Sequence, residues 1–259
     1  MLYLLSPAKS LDYESPLATK RHSQPRMLEE ASDLVEVMLE KTPADLSEMM
    51  SISEDLALTN VQRFQDFTTP FSRKNARPAV LAFAGDTYIG MQPKEFGERD
   101  FTEAQKTVRI LSGLYGVLRP LDLMMPYRLE MGSSVTTERG SSLYDYWGDR
   151  ITDQVRTDLA ESPGPDAVIN LASNEYFKSV RPGQLDAQLI TPRFMDYSNG
   201  EYKVISFFAK RARGAMAAWG VRNRVRSVRG LRDFDGLGYR YDPARSTTAE
   251  PTFIRESSA

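Results

Sequence analysis

The chain has 259 residues, with 33 Lys and Arg against 35 Asp and Glu, one His and no Cys, for a formal net charge of −2. At this length roughly 70% or more of the unfolded surface can be buried, so the core needs no disulfide or metal staple. The absence of Cys excludes thiol peroxidases, disulfide exchange, Cys-ligated zinc, iron–sulfur clusters and Cys nucleophiles, and His22 as the sole imidazole excludes a two-His facial triad and an H-E-x-x-H zinc site. Any catalysis would run on Ser, Lys, Tyr or carboxylates. Met1 to Ser6 lacks a basic n-region and is too short for the apolar core of a signal peptide. The longest charge-free stretch, Ile110 to Leu118, falls far short of the roughly 18 to 20 apolar residues of a membrane-spanning helix. No membrane association is expected, and the expected compartment is the cytoplasm.

In chain order, Leu2 to Leu5 reads as a buried strand, and Leu28, Ala31, Leu34, Val35, Met38 and Leu39 form the apolar stripe of a helix. Ala79 to Ala84 reads as a second strand, and Asp100-Phe-Thr-Glu103 as a capping box that opens another helix. Strands are expected at Val108 to Leu111, Ala167 to Leu171, Gln188 to Ile190 and Tyr202 to Phe207, with a helix through Ile151, Val155 and Leu159. Loops are expected at Ser162 to Pro165, Ser198 to Gly200 and Gly132 to Ser142. This alternation predicts an α/β fold of mixed α+β character, with one compact domain over residues 1–242 and a mixed sheet flanked by helices. Residues 243–259 are polar, small and interrupted by Pro, which predicts a loose C-terminal tail.

The near-zero net charge conceals an asymmetry. From Lys203 to Arg232 there are nine basic residues and no acidic one, which leaves about −11 for the remainder. On a helix starting near Phe208, the residues Phe208, Ala212, Ala215, Met216 and Trp219 share one face. Lys210 and Arg213 lie opposite, joined by Arg224 if the helix reaches that far, with Arg211 beside them. Gly214, Ala217 and Gly220 lie between the basic positions, where small residues would let a phosphate backbone come close. An amphipathic helix with a solvated basic face is the plainer alternative.

Thr42-Pro43 signals a helix N-terminus. The following run, Leu46 to Ala57, has the spacing of a helix-hairpin-helix, with Ser51, Ile52 and Ser53 at the turn where glycines are usual. Such a turn offers the backbone N–H groups of the next helix to a phosphate without touching a base edge. A plain helix-turn-helix packing element, with Ser53 as N-cap and Glu54 and Asp55 in the first turn, satisfies the same residues.

Ser6-Pro-Ala-Lys9 matches S-x-x-K but lacks the companion S-D-N and K-T-G elements, and Lys9-Ser10 lacks the glycines of a phosphate loop. Ser6 to Ser10 nevertheless follows the first strand, where α/β folds tend to place ligands. Gly113 to Gly116 reads as a tight turn after a strand. Arg119, Tyr127, Arg128 and Glu130 form one dense polar cluster, and Asn174, Glu175, Lys178 and Arg181 form a second. A polar cleft and a buried ion-pair network both account for them.

Five segments together are similar to the YaaA family of bacterial peroxide stress resistance proteins. They are Leu5 to Tyr13, Leu111 to Leu123, Pro126 to Gly132, Asn170 to Lys178 and Ile205 to Gly214. The resemblance implies a cytoplasmic protein that limits oxidative damage by hydrogen peroxide and is associated with lowered free intracellular iron. It also implies a single compact α/β-type fold that binds duplex DNA through a positively charged cleft and a helix-hairpin-helix-like element. On this reading Lys210, Arg211, Arg213, Arg224 and the turn at Ser51 to Ser53 contact DNA, without catalysis and without a cofactor.

Two other readings stay open. In one, Lys9, Arg119, Arg128 and Lys178 clamp a phosphorylated or nucleotide ligand, with Tyr127 or Glu130 in acid–base roles. In the other, carboxylates alone bind iron.

Overall fold

In the computed structural model, which describes residues 1–256, β1 (Leu2–Leu5) opens the chain with all four side chains buried. Three helices follow: α1 (Leu28–Leu39), α2 (Pro43–Met50) and α3 (Glu54–Gln65). In α1 the residues Ala31, Leu34, Val35 and Met38 turn inward, and Leu39 at the edge of the stripe is exposed. Next come β2 (Arg77–Pro78), α4 (Ala79–Ala82), α5 (Asp86–Met91) and α6 (Glu98–Thr107), then β3 (Val108–Ser112), β4 (Gly116–Leu118) and β5 (Leu123–Met124). The second half runs through α7 (Leu143–Trp147), α8 (Arg150–Glu161), β6 (Ala167–Leu171), α9 (Asn174–Phe177), β7 (Gln188–Ile190), β8 (Arg193–Ser198) and β9 (Glu201–Lys203). It closes with α10 (Ser206–Arg222), β10 (Arg240–Tyr241) and β11 (Thr252–Arg255). Among the described residues no helix is long and apolar enough to cross a membrane.

The main sheet has the order β4-β3-β1-β6-β7, with β1, β3, β6 and β7 parallel and β4 antiparallel at one edge. All five residues of β3 and of β6 are buried, as expected of strands covered on both faces. The turn from β3 into β4 ends on Gly116 at φ +63°, a conformation that favours glycine, and this is the tight turn expected at Gly113 to Gly116. The chain leaves β1 toward β3 and leaves the neighbouring β6 toward β7, in opposite directions across the sheet. A crevice therefore opens at the C-terminal ends of β1 and β6.

A second sheet, β10-β11-β8-β9, corrects the expectation for the C-terminus. Residues 243–256 are not a loose tail: β11 lies between β10 and β8, parallel to β8, and Thr252 and Phe253 are fully buried. Asp196 of β8 accepts from Arg255 Nε at 2.7 Å and from the Tyr239 hydroxyl at 2.7 Å, so the strand is also tied through its side chains. The small polar residues before it concealed a four-residue apolar strand. Residues 257–259 of the expected tail lie outside the described residues.

Three further expectations differ from the structure. Within Ala79 to Ala84 the first four residues form one helical turn, α4, Phe83 makes an isolated bridge to Leu11, and no strand runs through the segment; Ala79 to Phe83 are all buried, a case in which periodicity does not separate the two states. The helix expected from Asp100 begins at Glu98, with Asp100 at the third position accepting from Gly97 N at 3.1 Å. Glu103 is instead buried and paired with Arg226. The strand expected over Tyr202 to Phe207 is Glu201–Lys203, and Ser206 already starts α10.

Helix α10 packs across α5 at two glycines. A Cβ at Gly214 would lie 1.7 Å from the Thr87 carbonyl oxygen, and one at Gly90 would lie 2.0 Å from the Arg211 carbonyl oxygen. The backbones therefore touch, and α10 is buried nearly all round from Ala212 to Val221.

Two polar networks sit in the core. Asp158, fully buried, accepts from Arg26 Nη2 at 2.7 Å, Arg109 Nε at 2.5 Å and Gln154 Nε2 at 3.1 Å. Asp122, also fully buried, accepts from Ser23 Oγ at 2.6 Å, Arg119 N at 2.8 Å and Arg119 Nη2 at 2.9 Å. Burial acts to raise the Asp158 carboxyl, but the hydrogen bonds from Arg26 and Arg109 outweigh it and hold the group below the usual carboxylate range.

Two outcomes follow for stability. Gly214→Ala, which would favour an isolated helix, should instead lower stability by about 3 kcal/mol and Tm by about 6–12 °C. Gly183→Ala, with nothing within 4 Å, should stay within about 0.5 kcal/mol. Asp158→Asn should cost about 3–5 kcal/mol at pH 7, because it leaves two arginines without their counter-ion. A depressed carboxylate contributes stability above its unfolded pKa of about 3.9 and loses it as pH falls through the folded value. The gap between wild type and Asp158→Asn, read from urea midpoints, should therefore narrow below about pH 4.

Candidate functional site

The crevice at the ends of β1 and β6 holds a pocket of about 420 Å³. Ser6 to Ser10, which follow β1, form one wall, and Leu171, Ser173, Glu175 and Tyr176, at and after the end of β6, form another. Tyr127 to Glu130 line it from the segment after β5, Gly85 to Thr87 from the start of α5, and Lys210 and Arg213 from α10. The walls are joined by short bonds: Ser173 N donates to Ser6 Oγ at 2.8 Å, and the Tyr88 hydroxyl donates to Ser6 O at 3.0 Å. A Cβ at Gly85 would lie 2.8 Å from the Ala8 Cβ, so the start of α5 sits directly on the loop after β1.

The charges in the pocket are unevenly matched. Glu130 binds Arg128 Nη2 through Oε1 at 3.0 Å and Lys9 Nζ through Oε2 at 2.7 Å. Glu175 Oε1 accepts from Gly132 N at 3.0 Å, and Asp86 is paired with Arg211 at 3.4 Å. Among the described residues no carboxylate pairs with Lys210 or Arg213. Burial alone draws the Arg213 guanidinium below the ordinary arginine value, yet arginine stays charged in proteins, so a partly buried, uncompensated cation faces the pocket. The Arg128 Nε is buried and has no hydrogen-bond partner.

Acid–base chemistry has little to work with here. Burial pushes the Tyr127 phenol well above its usual range, although a 2.6 Å bond with Ser112 Oγ offsets part of that effect. Both Glu130 oxygens are held by cations. The pocket suits binding an anion better than moving a proton.

The candidates from the two polar clusters divide. Ser6, Lys9, Tyr127, Arg128, Glu130 and Glu175 line the pocket. Arg119, Asn174, Lys178 and Arg181 do not: Arg119 is locked on Asp122, and exposed Asn174 begins α9. Lys178 lies 4.7 Å over the Tyr144 ring, and Arg181 pairs with Asp149 at 2.7 Å. Asp86, Thr87 and Ser173 were missed in the sequence. Gly85-Asp86 after an apolar run is the helix-start signal that would have found the first two.

The basic block is not one stripe. Elements distant in sequence supply acids to three of its residues: Asp86 to Arg211, Glu95 to Arg222 at 3.4 Å, and Glu103 to Arg226. Arg224 lies beyond the end of α10 in a left-handed conformation (φ 51°), while Lys210 and Arg222 are about 18 Å apart along the helix. Gly214 and Gly220 open no path to a phosphate. Gly214 is filled by α5, and a Cβ at Gly220 would lie 2.3 Å from the Tyr3 hydroxyl oxygen. Phe208, expected on the buried face, is 36% exposed, and the Arg255 guanidinium lies 4.5 Å from its ring centroid.

Helices α2 and α3 are joined by a tight turn at Ser51 to Ser53, an arrangement common to both readings of this segment. Thr42 and Asp45 make a reciprocal capping box with Pro43 in the first turn, Leu46 and Ala57 are buried, and Ser51 takes the left-handed turn position at φ 52°. Ser53 is the N-cap of α3 but makes no side-chain capping bond. Ser51 and Ser53 are exposed, Ile52 packs partly against the core, and exposed Glu54 and Asp55 follow.

Known proteins share this whole architecture at the level of sequence. A protein of Cellvibrio japonicus described as a UPF0246 protein is 50% identical over 256 residues, covering 99% of each chain. Counterparts with the same description are 48% identical over 258 residues in Colwellia psychrerythraea, covering all of both chains, and 48% identical over 256 residues in Teredinibacter turnerae. The model of the family described as peroxide stress protein YaaA matches residues 1–245, which include every residue of the pocket and the hairpin. The chain belongs to the peroxide stress protein YaaA family.

Proposed function

We propose that the protein serves the peroxide stress response in the cytoplasm as a non-catalytic, largely sequence-independent binder of duplex DNA. The carrying observation is the pair Lys210 and Arg213, which bring two uncompensated positive charges to a pocket already bordered by Lys9 and Arg128. Buried cations are normally paired, so an unpaired guanidinium at a surface crevice favours an external anion. The phosphate backbone supplies anions without requiring base readout. The exposed turn at Ser51 to Ser53 gives a second contact, where the first N–H groups of α3 offer an anion site that Glu54 and Asp55 weaken.

Protection through DNA also accords with the side-chain inventory. The chain has no Cys to reduce peroxide. Among the described residues no three His, Asp or Glu side chains gather as a metal site, so the alternative of a carboxylate iron centre has no cluster to build on.

Fluorescence anisotropy of a labelled duplex over a salt series tests the reading. Affinity should fall steeply with salt, with a log–log slope near −0.9 per phosphate contact. Lys210→Glu/Arg213→Glu, checked for folding by circular dichroism, should weaken binding by tenfold or more and flatten the slope by about 2. Arg224→Glu should have a smaller effect. Salt-independent affinity, or unchanged binding by the double variant, would refute the proposal.

A further inference from the structure

We infer that the pocket prefers a phosphate monoester dianion, supplied on DNA by a phosphorylated strand end, to the internal diesters of the backbone. The inference rests on the DNA reading for its macromolecule and on the pocket alone for its chemistry.

Size gives the first argument. A volume of about 420 Å³ lies in the range of small-molecule sites, roughly 300–1,000 Å³, and accepts one phosphate-bearing unit but no double helix. An internal diester can meet Lys210 and Arg213 from the mouth, but its chain on both sides keeps it from seating deeper. A strand end has chain on one side only.

Charge gives the second. The lining cations Lys9, Arg128, Lys210 and Arg213, together with Arg211 on Asp86, number five against the three carboxylates Asp86, Glu130 and Glu175. The net excess is two positive charges, and Lys210 and Arg213 are the two cations with no carboxylate of their own among the described residues. A diester carries one negative charge, whereas a monoester carries about 1.5 to 2 at pH 7 and offers three acceptor oxygens.

The unfilled donors give the third. The Arg213 guanidinium and the Lys210 ammonium line the pocket and make no hydrogen bond or ion pair among the described residues, while Arg128 and Lys9 are already held by Glu130. A monoester, with more oxygens free than a diester, can take donors from Arg213 and Lys210 at once.

The test compares blunt duplexes of one sequence bearing 5′-phosphate, 3′-phosphate or hydroxyl ends at a single salt concentration. Thymidine 5′-monophosphate serves as free competitor and as the ligand in a thermal-shift arm. One phosphorylated end should bind about tenfold to a hundredfold more tightly than the hydroxyl end. Free nucleotide should abolish that difference, and Arg213→Gln should abolish it while weaker duplex binding persists.

Equal affinity for all three ends would overturn the inference and leave the DNA reading standing. A thermal shift by the nucleotide without binding to any duplex would keep the pocket's chemistry and refute the DNA reading. Arg213→Met gives a second check without ligand: loss of an unpaired, partly buried cation should leave Tm unchanged or raise it. A clear fall in Tm would make Arg213 structural and count against the site.

Discussion

The two backbones that touch where α5 crosses α10 set the position of the two cations in the pocket that have no acid partner among the described residues, Lys210 and Arg213. At the crossing, Gly214 meets the Thr87 carbonyl and Gly90 meets the Arg211 carbonyl with no side chain between them. Lys210 lies one turn before Gly214 on nearly the same side of α10, next to the start of α5, where Asp86 and Thr87 line the pocket. Arg211, on the same turn, reaches Asp86 and removes its charge from the account. A wider crossing would carry the basic turn of α10 away from the loops after β1 and β6. The small residues of this helix therefore serve the site indirectly, by bringing two helices together, and not by exposing main chain to a ligand.

The polar clusters resolve into two kinds of chemistry that look alike as residue types. Around Asp158 and Asp122 each carboxylate is fully buried and receives three or more hydrogen bonds, and every arginine facing it has an acid partner, although the Arg26 Nε is buried without an acceptor. In the pocket the match of charges is incomplete, because Arg213 has no acid partner among the described residues. The presence of a counter-ion separates them. A charge-matched network fixes the fold, whereas an unmatched cation at a crevice favours an anion from outside.

Much of the fold was legible because its strongest signals are local. The stripe through Leu28 to Leu39, the Thr42-Pro43 helix start, and the strands at Leu2 to Leu5, Ala167 to Leu171 and Gln188 to Ile190 all depend on residues a few positions apart. Ala79 to Ala84 was misread because Ala79 to Phe83 are all buried and so show no period. The tail was misread because β11 owes its existence to β8 and β10, which lie outside any local window. The site was half legible. Loops after strands drew attention to Ser6, Lys9, Glu130 and Glu175, but which arginines were spent on buried acids could be decided only in three dimensions. The acid-free basic block shows the same limit: its counter-ions Asp86, Glu95 and Glu103 come from positions more than a hundred residues earlier.

The central placement of β1 also governs the order in which the molecule can be assembled. Its residues are made before either neighbour, and its hydrogen-bonding edges belong to Val108–Ile110 on one side and Val168–Leu171 on the other. The chain through Leu171 must therefore emerge before this strand is enclosed, and until then an apolar strand with an open edge is available to any passing partner. The last closure comes later still, when Arg255 reaches Asp196 and the ring of Phe208 at the head of α10. The lining of the pocket runs from Ser6 to Arg213, so a nascent chain gains this pocket in one late step, once α10 has emerged, and not by gradual accretion.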